Sequence, residues 1–349
     1  MNKLLVFPFT LDTAPIARFR HLLAKYDSII PVVEEAAAFT SGMDVSCVDG
    51  GSYCGLAVTT DFESSIADAS GVLFSSIIMS KETMQKNISI AKEHGKKLYI
   101  CGGLADWLED GLEDTCCLDY PPYSLDVVPE DRLFEIPVPV IIVTGQGQQC
   151  GKFDIQLGLR QKFVELGYKV SQIGTKRYSA LFGIHALPMI PYAPLWEKII
   201  LYNRFFKSVV DKEKPDVLIV GIPGGIMPLK ERHNELFGET AIAISKSIHP
   251  DISVLSMYYG KIDRDYLSNT MNYAKYALDS QFGFFHLSNT KLVVELDLRT
   301  ISYLTTDSSK VFEEQDIIDD RFFNVYSAET STKVYENIIS KLQNNIERY

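Results

Sequence analysis

The stretch "VIIVTGQGQQCGKFDIQLGLRQKFVELGYKV", Val140 to Val170, decides the fold. It begins as an apolar strand, turns through three glycines and continues as a helix closed by Gly167. A strand that feeds a helix through such a turn makes an anion site. The turn amides converge, and the helix N-terminus adds roughly half a positive charge. Gly145, Gln146, Gly147, Gln148, Gln149, Cys150 and Gly151 form the candidate cradle, Lys152 can reach phosphate oxygens as a point charge, and Phe153 and Asp154 complete the candidate binding stretch. The spacing Gly145-x5-Gly151-Lys152 is one residue longer than the GxxxxGK of a P-loop. The blander reading is a plain strand-to-helix turn with a lysine at its end.

Two positions argue against metal-dependent phosphoryl transfer. Phe153 stands where a P-loop enzyme places the Ser or Thr that coordinates Mg²⁺. Asp154 is the nearest other oxygen, but on an ideal helix it lies ~100° further round. The third strand of this region, "DVLIVGIPGG", ends in Gly221 to Gly225 with no carboxylate, and Asp216 lies at its opposite end. Mg²⁺ is therefore not expected as a cofactor, and hydrolysis of Mg-ATP or Mg-GTP is expected to be weak. Gly224 and Gly225 permit close ligand approach and join the candidate site.

Other charged groups fall at strand ends, where open parallel sheets bind ligands. Lys176 and Arg177 follow the strand "YKVSQIGT" and are expected beside the loop, for a second phosphate or a carboxylate, with a solvated basic pair as the alternative. Lys230, Arg232 and His233 follow the third strand and are expected in the same crevice. Glu235 and Glu239, four apart, read as one solvated helical face. Cys150 reads as a filler of the loop, with a nucleophilic thiol as the alternative.

The rest of the chain shows the same rhythm. Lys3–Phe9, "SIIPVV", "VSCVDG", "GVLFSSI" and "KLYICGG" read as strands, and Ala14 to Tyr26 and Ser80 to Lys96 as helices, the second with Ser80 as N-cap. Residues 104 to 135, acidic and interrupted by Pro121, Pro122 and Pro129, read as a connecting segment. The fold class expected is α/β: a Rossmann-like parallel-sheet domain over 1–130, a P-loop NTPase-like α/β domain over 136–290, and C-terminal strands and a helix over 291–349 that cap the second domain.

Composition narrows the partners. The 349 residues carry 34 Lys plus Arg against 45 Asp plus Glu, a net charge of −11. Such a balance argues against nonspecific binding to nucleic acid or an anionic membrane, both of which rest on phosphate neutralisation. Six cysteines lack any CxxC pair and fit a reducing compartment. No run approaches the ~18 apolar residues of a membrane helix. A cytoplasmic protein is expected, with homo-oligomerisation left open.

The opening "MNKLLVFPFTLD", the loop "TGQGQQCGKFD" and the strand end "GTKRYSALFG" resemble the peptide maturation system protein family of gene clusters for ribosomally made, modified peptides. The resemblance covers most of the chain. It implies a role in maturation beside a precursor peptide or another maturation protein, with no established reaction. More distantly, the chain is similar to a P-loop family that includes a D-glutamate N-acetyltransferase and shares the Gly-x5-Gly-Lys spacing. In that family the residues after the lysine are usually Met and Thr, where this chain has Phe153 and Asp154, and a Glu usually follows the third strand, where this chain has Gly221. The resemblance implies a phosphate-bearing ligand, a nucleotide or a CoA-type molecule. Three functions remain: an accessory or modifying protein with a degenerate P-loop, a CoA-dependent N-acyltransferase, and an ATP- or GTP-dependent ligase acting on an amino acid or peptide.

Overall fold

A computed structural model of the chain describes residues 1–75, 81–102, 104, 115–121, 132–190, 192–229, 234–294, 300–313, 315 and 319–346. The chain forms two compact units, Met1–Pro121 with Lys176–Ala186, and Pro122–Thr175 with Leu187–Tyr349. The segment from Lys176 to Ala186, read in the sequence as part of the second domain, groups with the first unit.

The first unit is built on five parallel strands: β1 (Lys3–Phe7), β2 (Ser28–Pro31), β3 (Gly71–Phe74), β4 (Lys97–Cys101) and β5 (Thr115–Leu118). They lie in the order β2-β1-β3-β4-β5. The central strands are buried on both faces, as parallel strands under helices must be. Helix α1 spans Ala14–Arg18, α2 Phe62–Asp68 and α3 Lys81–Glu93. Phe62, Ile66, Met84 and Ile88 from α2 and α3 pack on Leu5, Phe7, Val72, Phe74 and Ile100.

Three expectations are corrected here. Val45 to Gly50 is not a strand: Ser46–Asp49 is a helical turn that ends at Gly50 with φ 68°. The cause is Asp44, whose carboxylate accepts from the amides of Ser46, Cys54, Gly55 and Leu56 and so rolls the segment into a loop. The helix expected to Tyr26 stops at Arg18, whose side chain turns away to a buried ion pair with Asp49. Within the connecting segment, Thr115–Leu118 is the fifth strand of the sheet. Ser80, the expected N-cap, lies outside the described residues.

The second unit holds β6 (Val140–Gly145), β7 (Val170–Gly174), β8 (Val217–Gly221), β9 (Ile252–Met257), β10 (Phe282–Leu287), an antiparallel pair β11 (Thr290–Val294) and β12 (Ile301–Thr305), and β13 (Phe322–Phe323). Its sheet runs β13-β10-β9-β6-β8-β7, every pair parallel. Helices α4 (Lys152–Glu165) and α8 (Ala328–Ile346) cover one face, where Ile155, Leu159 and Phe163 meet Val334, Tyr335, Ile338 and Leu342 over Ile141, Val143 and Phe284. Helices α5 (Leu195–Glu213), α6 (Glu239–Ser247) and α7 (Arg264–Ala277) cover the other, over Ile142, Val220 and Leu255. β6 is central and flanked on both sides, so the loop that leaves its carboxyl end is framed by the ends of β8 and β9.

The protein is thus α/β, with two parallel sheets of Rossmann-like and P-loop-like construction. No helix among the described residues is long and apolar enough to cross a membrane.

Candidate functional site

The loop from Gly145 to Lys152 is fixed from three sides. Its backbone first hangs on β9, since the Gln146 amide donates to the Ser256 carbonyl at 2.9 Å. The Gln146 side chain then bridges two elements, accepting from the Tyr258 amide at 2.6 Å and donating to the Tyr266 hydroxyl at 2.5 Å. The Tyr258 hydroxyl donates to the Gln148 carbonyl at 2.5 Å. Gln146, predicted as a ligand contact, therefore uses its side chain to hold the frame. Gln148 is exposed, and Gln149 takes a left-handed backbone with φ 55°.

Beneath the loop stands a buried pillar. Ser256 Oγ donates to the Cys150 carbonyl and lies 2.8 Å from His286 Nδ1. The serine has one proton, so the imidazole must donate from Nδ1, which leaves Nε2 bare and buried. Burial pushes the His286 pKa down to about 3, against a backbone contact with Cys150 that raises it, so the ring is neutral at ordinary pH. Gly151, the N-cap of α4, has φ 83°, and a Cβ there would lie 3.0 Å from His286 Cε1. Glycine is required at that position both by backbone conformation and by space.

Cys150 is fully buried, and its Sγ donates to the Gly147 carbonyl at 3.2 Å. It fills the loop.

Lys152 begins α4 and is 7% exposed. Its ammonium donates to the Gly147 carbonyl at 2.5 Å and to the Gly224 carbonyl. Gly224 and Gly225 follow β8 and lie directly on the loop, since a Cβ on Gly225 would collide with the Gln146 carbonyl oxygen. The two glycines predicted from the sequence are brought to the loop lysine. The amide of Gly225 donates to Glu235 Oε2 at 3.0 Å.

Among the described residues, no group of three or more His, Cys, Asp or Glu side chains is placed to hold a metal ion. Phe153 is buried at 1% exposure and offers no oxygen. Asp154 is 4% exposed, and its Oδ1 accepts from the Tyr326 hydroxyl at 3.2 Å, within the layer shared with α8. β8 ends at Gly221, whose Cα is covered by the buried amide of Gln156.

Glu235, read in the sequence as part of a solvated helical face, lies beside the glycines of the loop. It does not share a helical face with Glu239, because it sits in the turn Glu235–Gly238 while Glu239 opens α6 and pairs with Lys198 at 3.1 Å. No local pattern marks it, since its partner lies ten residues upstream. Tyr258 and Tyr303 complete this side of the loop, with ring centroids 6.3 Å apart.

Lys176 and Arg177 are gathered into the first unit. Lys176 pairs with Asp12, while Arg177 lies 3.7 Å from Asp119 and over the Tyr120 ring at 5.2 Å. Lys230, Arg232 and His233 lie outside the described residues.

No family model matches the chain, and no curated protein matches it in sequence. Among solved structures, a DUF1611 family protein from Anabaena variabilis superposes with a TM-score of 0.54 at 10% identity, over 82% of this chain and 88% of that one. That likeness is one of fold. An Archaeoglobus fulgidus nucleotide-binding protein in complex with ADP gives a TM-score of 0.33 at 12% identity, over 57% and 85%. The hydrogenase maturation factor HypB from Archaeoglobus fulgidus gives 0.30 at 10%, over 59% and 90%. Scores of this size carry no further argument.

Proposed function

We propose that the Gly145–Lys152 loop, with Gly224 and Gly225, binds the phosphate of a nucleotide or CoA-type ligand, and that the protein is an accessory or modifying component in the maturation of a ribosomally made peptide. The phosphate reading is carried by Lys152. Its buried ammonium rests on two neutral peptide carbonyls at the rim of a glycine turn. A phosphate oxygen makes a stronger, charge-assisted bond to an ammonium than a carbonyl does, so a ligand can displace that resting contact. The helix N-terminus favours the same charge. The peptide half of the reading is supported by the resemblance of the opening strand, the loop and "GTKRYSALFG" to peptide maturation proteins, and its partner is the precursor peptide or another maturation protein.

A CoA-dependent N-acyltransferase is the second reading, favoured by Glu235. This carboxylate beside the loop can take a proton from an acceptor amine. The ATP- or GTP-dependent ligase is the least favoured, because Phe153 and Asp154 are turned into the core and cannot hold a bridging metal.

Thermal unfolding with ATP, GTP and acetyl-CoA, in wild type and Lys152→Ala, tests the site. A ligand-induced shift lost in the variant is expected, and equal shifts in both would remove the loop from the function. Mass spectrometry of the precursor peptide produced with and without this protein tests the role: a mass change that depends on the protein marks a modifying enzyme, and an unchanged peptide that co-purifies with it marks an accessory.

A further inference from the structure

The contacts of Lys152 and Glu235 fall on one peptide group. The carbonyl that accepts from Lys152 belongs to Gly224, and the amide that donates to Glu235 belongs to Gly225, across the bond that joins them. Ammonium and carboxylate thus stand on either side of a single amide at the rim of the loop. Glu235 reaches this place with φ 43°, a left-handed conformation that few residues other than glycine adopt. The charge is felt nearby: burial raises the Tyr303 pKa and Glu235 raises it further, and Tyr258 responds in the same sense after burial, Cys150 and Tyr303.

We infer that Glu235 is a specificity-determining residue that filters ligands by charge. This rests on the reading of the loop as a phosphate site. Lys152 attracts each negative charge that a ligand brings, and Glu235, one peptide away, opposes it. In a metal-dependent P-loop the surplus charge of a triphosphate is met by a cation held by a Ser or Thr and a strand-end carboxylate. Here those positions are the buried Phe153 and the glycines after β8. A triphosphate brings more negative charge toward Glu235, whereas a phosphate ester or a diphosphate diester brings less and is accepted. Glu235 therefore selects the less charged phosphate groups.

Calorimetric titration with inorganic phosphate, pyrophosphate and tripolyphosphate, without divalent cations, tests this in wild type, Glu235→Gln, Glu239→Gln and Lys152→Ala. The glutamine keeps an oxygen for the Gly225 amide and removes only the charge. Wild type is expected to gain little affinity along the series. Glu235→Gln is expected to gain on the order of five- to tenfold for each added charge at low salt. Glu239→Gln, whose parent carboxylate is paired with Lys198, is expected to follow wild type. An affinity ratio of tripolyphosphate to phosphate that is the same in wild type and Glu235→Gln, with binding lost in Lys152→Ala, overturns the filter and leaves the loop site standing. Binding untouched by Lys152→Ala, or absent throughout, overturns the loop site and the filter with it. Should Glu235→Gln fail to fold, the salt dependence of wild type decides: the filter predicts a ratio that barely changes with ionic strength, and a ratio that climbs steeply as salt is lowered overturns it.

Discussion

Two buried cations, Arg18 and Lys152, differ in the groups that hold them. Each belongs to a helix that follows a central parallel strand, α1 after β1 and α4 after β6. Each is well buried: the Arg18 side chain is 7% exposed, and Lys152 is 7% exposed. Arg18 donates from Nε and Nη2 to both oxygens of the fully buried Asp49, at 2.7 and 2.6 Å. Lys152 donates to two peptide carbonyls. The first is a bidentate pair of full charges that nothing from solvent improves upon. The second sets an ammonium against two carbonyls of the glycine turn, and an anionic oxygen is the stronger acceptor for it. Burial does not separate the two: Arg18 holds a carboxylate, and Lys152 holds carbonyls of the glycine turn.

The turns before these helices differ in the same sense. After β1 the Thr13 side chain closes its own turn, accepting from the Thr10 amide at 2.9 Å and donating to the Thr10 carbonyl at 3.1 Å. After β6 the loop is closed from outside, by Tyr258, Ser256 and the glycines of the β8 end.

The contrast can be broken at its strongest point first. Asp49→Ala strands a buried guanidinium and is expected to destabilise the first unit by about 3–5 kcal/mol, with phosphate binding unchanged in the folded fraction. Hydrogen exchange resolved by peptide checks it, and protection lost equally in both units would show that Asp49 is not a local anchor. Gly151→Ala is next. The left-handed backbone and the His286 edge together make about 2 kcal/mol the expected loss, confined to the second unit and accompanied by loss of ligand binding.

Acid is expected to soften the second unit selectively. His286 takes a proton only near pH 3 when folded and near 6.5 when unfolded. The unfolded chain therefore binds the extra proton between those values, so the stabilisation is complete above about pH 6.5 and falls as pH drops toward 3, by about 1.4 kcal/mol per unit. The first unit buries no histidine of this kind among its described residues, as His21 and His94 are exposed and His185 is half-buried. Urea midpoints measured against pH should show this slope, and His286→Gln should flatten it; an unchanged slope in the variant would assign the acid sensitivity elsewhere.

The smallest effect on stability is expected at the residue with the largest effect on binding. Lys152→Ala should cost about 1–2 kcal/mol, since the Gly147 and Gly224 carbonyls lose a donor but the chain no longer buries an ammonium. All ligand-dependent stabilisation should disappear with it. A loss near that of Asp49→Ala would make Lys152 structural and erase the contrast.

What was legible in the sequence was local. The apolar run to Thr144, the three glycines and the helix to Glu165 read correctly because strand, turn and helix each announce themselves within a few residues. The frame of the loop was not legible. Ser256, Tyr258 and Tyr326 reach it across 106, 110 and 172 residues, and only the strand order brings them there. Val45 to Gly50 misled because one carboxylate, Asp44, outcompetes strand pairing for its neighbours' amides. The edge strand Thr115–Leu118 was hidden by two exposed cysteines and an acidic, proline-bounded setting.

The bond between Tyr326 and Asp154 also sets a timetable for synthesis. The partners are 172 residues apart, so at ~5–20 residues per second the ribosome separates them by about 10–30 s. For that interval Ile155, Leu159 and Phe163 lack the cover that Val334, Ile338 and Leu342 later supply. Until those residues are made, the nascent second unit carries a bare apolar stripe along the helix that begins at Lys152.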